Sequence, residues 1–170
     1  MPWQPNLTFI TDQLAVGGSF PPERAAHLSE ELAIRAVIDL RDEACDDAET
    51  LMLHGLTFLH LPTTDHHAVA QPMLDEGAAF ANRHIDRGER VLIHCEHGIG
   101  RSATLALCVL AARGLDPLAA IELAKDRRAL VSPSPAQYEA WAQWLGRHGL
   151  PPPPPFDTFA AIAYRHLRPA

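Results

Sequence analysis

The sequence predicts one α/β domain: a central, mostly parallel sheet with helices on both faces. Three observations predict it. Short apolar runs rich in Val, Ile and Leu alternate with longer runs of helix-forming residues, and that alternation builds strand–helix–strand units. The run Arg90-Val91-Leu92-Ile93 leads through a glycine-containing loop into Ala103-Thr104-Leu105-Ala106-Leu107, which reads as a strand turning sharply into a helix. The length, 170 residues, suits a single domain with a sizeable core.

The elements follow in order. Leu7-Thr8-Phe9-Ile10 and Leu14-Ala15-Val16 read as short strands, with Gly17-Gly18 as a turn. Pro21-Pro22 starts a helix that runs to about Leu32. Ala36 to Leu40 is a buried strand, and Asp47 to Leu53 a short helix stopped by Gly55. Leu56 to Leu61 is the next strand, and Pro72 to Arg87 a helix closed by Gly88. Arg90 to His94 is the strand feeding the loop. Ser102 to Arg113 is the central helix, ended by Gly114. Helices follow at Pro117–Arg128, Ala136–Arg147 and Asp157–Leu167, the last one set apart by the five prolines Pro151 to Pro155. That run reads as an extended, stiff spacer. The chain divides into residues 1–148, the domain proper, and 149–170, a Pro-rich linker and C-terminal helix. Phe156, Phe159, Ile162, Ala163 and Leu167 stand at helical spacing, which predicts that this helix packs back onto the domain.

Composition narrows the function. Hydrophobic residues make up 47% and the net charge is −7. An acidic balance argues against nucleic-acid binding. No apolar run reaches the length of a membrane span, and Met1-Pro2-Trp3-Gln4-Pro5 lacks the charged and apolar regions of a signal peptide. The expectation is a soluble cytoplasmic protein with no membrane partner. The sequence does not fix an oligomeric state. Three widely spaced cysteines make no disulfide framework. Cys108 sits in an apolar helical stretch and reads as core. Cys45 stands among Asp42, Glu43, Asp46 and Asp47, charges that disfavour its thiolate. A redox role, with Cys45 or Cys108 resolving an oxidised Cys95, stays open at this level.

The chemistry concentrates in His94-Cys95-Glu96-His97-Gly98-Ile99-Gly100-Arg101-Ser102. A strand turning into a helix leaves unpaired N–H groups at the helix start, where the dipole adds partial positive charge. Gly98 and Gly100 remove Cβ atoms that would keep successive N–H groups from converging. Arg101 offers a planar fork for two phosphate oxygens. Cys95 lies in this electropositive site, which favours the reactive thiolate. Ser102 is placed to donate to that thiolate or to cap the helix. His94 is expected to brace the loop through backbone hydrogen bonds. A metal site built on His94, Cys95 and His97 is disfavoured, because no second Cys/His pair stands at zinc spacing.

At this point the chain resembles the cysteine-dependent protein phosphatases of the compact dual-specificity type. Their loop reads H-C-x5-R-S/T, and His94, Cys95, Arg101 and Ser102 fill it without mismatch. The resemblance extends from about Leu7 to Leu145 and includes Val37-Ile38-Asp39-Leu40-Arg41. It implies a metal-free and cofactor-free phosphomonoester hydrolase working through a phosphocysteine. Cys95 is the nucleophile. Arg101 and the amides of Glu96, His97, Gly98, Ile99, Gly100 and Arg101 bind the phosphoryl oxygens, and Ser102 aids thiolate release. The leaving group needs a proton. Asp65, in the loop Pro62-Thr63-Thr64-Asp65-His66-His67 after the strand Leu56–Leu61, is the candidate acid; the family places its acid at a similar position. His66 and His67 are substitutes, and Asp75, on a predicted helix, a poorer one.

The expected partner is a phosphorylated protein or a small phosphomonoester. Glu96 and His97 stand where inositide-directed relatives carry lysines, which weighs weakly against a substrate with several phosphates. By analogy, the short chain implies a shallow pocket open to phosphotyrosine, phosphoserine or phosphothreonine. Lys125, Arg127 and Arg128 read as a solvated helix end favoured by the dipole, with substrate contact as the sharper alternative. Gln137 lies where some relatives position a water. Two rival functions remain: a phosphate-binding module without turnover, and arsenate reduction or sulfur transfer at the same kind of loop.

Overall fold

The computed structural model describes residues 2–168. Met1, in the 1–148 unit, and the last two residues of the 149–170 stretch lie outside it. Five strands form one sheet in the order β1-β2-β5-β3-β4. They are β1 (Leu7–Phe9), β2 (Leu14–Gly17), β3 (Ile34–Arg41), β4 (Thr57–Thr63) and β5 (Arg90–His94). β1 pairs antiparallel with β2, and every other pairing is parallel. The helices are α1 (Ala25–Glu30), α2 (Ala48–Leu53), α3 (Gln71–Asp86), α4 (Arg101–Ala112), α5 (Pro117–Arg127), α6 (Pro135–Arg147) and α7 (Phe156–Ala163).

Side chains alternate across a strand, and here the alternation separates two apolar cores. Leu14 and Val16, Ala36, Ile38 and Leu40, and Val91 and Ile93 face the larger core with α3, α4, α5, α6 and α7. The intervening Ala15, Val37 and Leu92 face the smaller one with Ala25 and Leu28 of α1 and Leu51 of α2. Both faces of the sheet are covered, as the apolar strand sequences predict. α4 is buried from Arg101 to Ala111, which explains why its sequence is apolar on every side.

The structure redraws three local expectations. Gly17-Gly18 is not the β1–β2 turn: Ile10–Gln13 make that turn, with Ile10 N donating to Leu14 O. Gly17 ends β2 opposite Leu7, and a Cβ there would lie 2.6 Å from Asn6 O. The helix expected to start at Pro21-Pro22 and run to about Leu32 is a 3-10 turn (Pro22–Arg24) followed by α1, which stops at Glu30. β4 runs two residues beyond Leu61, through Pro62; an edge strand tolerates a residue without N–H.

The C-terminal segment joins the main core. Phe159 and Ala163 are fully buried, and Tyr138 and Trp141 of α6 pack against the Phe159 ring. Tyr138 Oη donates to Pro154 O at 2.6 Å, tying down the proline run. Asp116, Asp47 and Ser134 cap α5, α2 and α6 through their side chains, each worth about 1 kcal/mol. No described helix is long and apolar enough to cross a membrane.

Candidate active site

The loop from Cys95 to Gly100 leaves the carboxyl end of β5 and enters α4, at the edge where parallel sheets bind ligands. Its backbone carbonyls are all engaged on the outer side. Cys95 O meets His94 Nδ1, and Glu96 O accepts from Ser19 N. His97 O and Gly98 O accept from Arg128, and Ile99 O from Ser132 N. Gly100 O accepts from Thr104 N and Oγ1 at 2.9 and 2.8 Å. Among the described residues, none of the amides from Glu96 to Arg101 donates to a protein acceptor. Carbonyls turned out and amides left free make an anion cradle at a helix N-terminus.

Cys95 sits at the base of this cradle, only 3% exposed. Its Sγ lies 3.3 Å from Ser102 Oγ. Arg101 is fully buried and held in one pose. Nη1 and Nη2 grip Glu43 at 2.7 and 2.9 Å, and Nη1 also donates to Thr63 O. A guanidinium has five N–H groups, so two remain, on Nε and Nη2. Nε is buried without a hydrogen-bond partner. Its nearest acid is Asp65, with Oδ1 at 3.6 Å. Asp65, His66, Cys95, His97, Ile99, Gly100, Arg101 and Gln137 line one cleft of about 380 Å³.

The two loop glycines have different jobs. Gly98 adopts φ +69°, a conformation that favours glycine, and a Cβ on it would lie 2.5 Å from the Gly17 carbonyl carbon, an approach that leaves no room for a side chain. Gly100 has ordinary φ but abuts Gln137, whose Oε1 would lie 2.5 Å from an added Cβ. Gln137 itself is clamped, accepting from Ser134 N and donating to His67 O.

The bracing behind the cradle joins the expected His94 to Asp39, Arg41, Glu43 and Asp46, which the sequence did not place in the site. His94 is fully buried, and both ring nitrogens face acceptors: Asp46 Oδ2 at 2.5 Å and Cys95 O at 3.3 Å. Arg41 joins Asp39, Asp46 and Glu96, each at 3.1 Å. Burial raises the Asp39 carboxyl, but the Arg41 hydrogen bonds and His94 more than offset it, leaving it below its ordinary value. Glu43, hydrogen-bonded by Arg101, falls to about 2. The acids around Cys45 therefore serve the loop: Glu43 fixes Arg101 and Asp46 fixes His94. Burial first, then Asp39 and Asp46, pushes the Cys45 thiol up. Burial does the same to Cys108.

Three sequence expectations change. The Glu96 side chain does not face the cleft; Ser19 Oγ and Arg41 hold it on the far side, so only its amide remains for a ligand. Gly98 is buried against Gly17 and Arg128 and contributes backbone alone. Lys125 and Arg128 are not a solvated helix end. Arg128 is 6% exposed and donates to Gly98 O, His97 O, Thr8 Oγ1 and Asn6 Oδ1. Lys125 donates to Ala129 O, Val131 O and Ala163 O. Their one signal in sequence was helical position: Lys125 falls with Ile121 and Ala124 on the buried side of α5.

Comparison with known proteins agrees with this geometry. A putative tyrosine-protein phosphatase R622 of Acanthamoeba polyphaga mimivirus is 37% identical over 65 residues, 38% of this chain and 31% of that protein. Dual specificity protein phosphatase 1 of Mus musculus is 37% identical over 76 residues, 44% of this chain and 21% of that protein. The matched stretch thus spans less than a third of either curated relative. Two solved structures share the fold. PTPMT1 in complex with PI(5)P has TM-score 0.77 and 23% identity over 84% of this chain and 96% of that one. Tk-PTP in its active form has TM-score 0.77 and 24% identity over 85% and 99%. Residues 19–145, from the strand end that meets Glu96 to the last turn of α6, match the family described as dual specificity phosphatase, catalytic domain, and the chain belongs to that family.

Proposed function

We propose that this protein hydrolyses phosphomonoesters through a phosphocysteine, with Cys95, Arg101, Asp65 and Ser102 as the reacting and stabilising groups. The observation that carries the reading is the cradle of free amides over Cys95 Sγ, with the unpartnered Arg101 Nε beside it. Such donors are preorganised for the three equatorial oxygens of a phosphoryl group in flight.

The Cys95 thiolate attacks phosphorus, forming the S–P bond as the bond to the leaving oxygen breaks. Asp65, in its acid form, gives that oxygen its proton. The phosphoryl oxygens rest on the amides of Glu96 to Arg101 and on the Nε and Nη2 edge of Arg101. Glu43 and Thr63 O hold that edge in place. In the second step Asp65 takes a proton from water. The oxygen attacks phosphorus, the S–P bond breaks, and phosphate leaves. Ser102 Oγ donates to the departing thiolate. His97 and Ile99 line the mouth and bear on the choice of substrate.

Family membership supports a phosphorylated substrate, a protein or a small molecule. The non-catalytic module and the arsenate or sulfur chemistry have no observation in their favour. The test is steady-state hydrolysis of an aryl phosphate by reduced protein. Turnover by the wild type, lost in Cys95→Ser with binding of inorganic phosphate retained, is the expected result. Normal turnover in Cys95→Ser would sink the mechanism. Background turnover by the wild type would leave the binding module.

A further inference from the structure

The family match ends at residue 145, yet the cleft over Cys95 is closed by residues well beyond it. Tyr164 and Leu167 line the same cleft as Cys95, Arg101 and Asp65. Ile99 and Pro135 add apolar surface to it. Leu167 is 69% exposed, so it stands at the mouth and is not a core residue.

This wall is fastened to the loop network. Tyr164 Oη donates to Pro133 O at 2.6 Å. Arg165 pairs with Asp126 of α5 at 2.8 Å. The buried Lys125 ammonium spans Ala163 O on the tail and Ala129 O and Val131 O on the α5–α6 connection. Next to Val131, Ser132 N donates to Ile99 O of the phosphate loop. The tail, the connection and the loop therefore share one chain of hydrogen bonds. Among the described residues, Arg101 is the one Arg or Lys in the lining, where Glu43 pairs with it, and His66 and His97 are the other basic side chains there.

We infer that Tyr164 and Leu167 of the tail, with Ile99 and Pro135, form an apolar subsite that takes an uncharged aromatic leaving group of a phosphomonoester. The subsite rests on the phosphate reading of the loop. It goes further in assigning leaving-group selection to a segment outside the matched domain. A ring buried on one face against Leu and Tyr gains binding from apolar area, while a leaving group carrying further phosphates finds no Arg or Lys beyond Arg101 among the described lining residues.

Binding separates the subsite from turnover. Calorimetry on the Cys95→Ser protein is done with 2-naphthyl phosphate, glycerol phosphate and inorganic phosphate. 2-Naphthyl phosphate is expected to bind more tightly than the other two. Leu167→Ala, at an exposed position, is expected to weaken 2-naphthyl phosphate about threefold to tenfold and to leave inorganic phosphate within about twofold. Tyr164→Phe, which keeps the ring, retains the preference. The inference is overturned if the naphthyl ester binds no better than inorganic phosphate. It is equally overturned if Leu167→Ala weakens both ligands alike or neither. Wild-type protein that binds the naphthyl ester selectively but does not hydrolyse it would cost the phosphatase reading and leave the subsite standing.

Discussion

Arg128→Ala tests whether the cradle is held from behind. Arg128 makes four hydrogen bonds: two to the loop carbonyls His97 O and Gly98 O, and two to Thr8 and Asn6 near the N-terminus. All four acceptors are uncharged. A hydrogen bond with one charged partner nets about 1.5–3 kcal/mol, and relief of a buried charge without a carboxylate offsets part of that total. Truncation also takes the donors from two loop carbonyls, at about 1–3 kcal/mol each where no water replaces them. The balance is a loss of about 3–5 kcal/mol. In a chain of 170 residues that lowers Tm by roughly 6–20 °C.

The same change frees the loop to rotate. A misplacement of about 1 Å at a reacting centre costs about a hundredfold in rate, so kcat/KM on an aryl phosphate falls on that order well below the unfolding transition. Arg128→Lys keeps the charge, but one ammonium with three protons cannot span the four acceptors; it lies between wild type and alanine in both readouts. Thermal unfolding by circular dichroism and initial-rate kinetics are the assays. An Arg128→Ala protein with Tm within about 2 °C of wild type and unchanged kcat/KM would refute the reasoning.

Further outcomes follow from the same geometry. Asp65→Asn is expected to slow aryl phosphates with poor leaving groups by about 10²–10⁴ and those with good leaving groups far less; an equal effect on both, read from a leaving-group series, removes Asp65 from the acid role. Arg101 lowers the Glu43 carboxyl from 4.5 to about 2, so its stabilisation is complete above the unfolded value and is lost as pH falls through the folded one. The Tm gap between wild type and Glu43→Gln should be constant above about pH 5 and close between 4.5 and about 2; a gap that widens on acidification contradicts the pairing. Gly98→Ala meets the Gly17 backbone at positive φ, so a loss of about 1–3 kcal/mol together with weakened phosphate binding is expected by chemical denaturation and calorimetry.

Much of this molecule was legible before its structure, and the reason is local. β5 and α4 announce themselves through apolar runs that need no partner to be recognised. The loop between them carries its chemistry in consecutive residues. Partners of the loop were not legible, because their meaning depends on which chain segments gather at one sheet edge. Arg101 and Glu43 are 58 residues apart, and Arg128 and Gly98 are 30 apart. Glu43 and Asp46 looked like the surroundings of Cys45, since sequence shows neighbours along the chain and hides those across β3. Arg128 looked like a helix terminus in solvent because a cation after α5 is usually that. Glu96 looked like part of the pocket because its amide is; Arg41, on the neighbouring strand, decides where its side chain points. Gly17-Gly18 carried the composition of a turn, but close approach of Asn6 and Glu96 explains it.

The distribution of charge behind the loop resolves how an acidic protein holds an anion. Net charge is −7, and a dianion approaching from solvent meets an unfavourable long-range field. Three buried arginines lie against the cradle, yet they do not contribute equally. Arg41 is matched by Asp39, Asp46 and Glu96, and Arg101 by Glu43. Of the three, Arg128 alone has no carboxylate partner among the described residues, and burial pulls its guanidinium down by more than nearby Cys95 pulls it up. The positive potential at the site therefore comes from Arg128, six free amides and the start of α4. None of these is a flexible surface cation. A cradle of that kind gains little from counter-ions it must first release and asks for no reorganisation when charge arrives, which is what stabilising a phosphoryl group in transit requires. The acids on Arg41 and Arg101 fix direction, and the one arginine without an acid supplies the field.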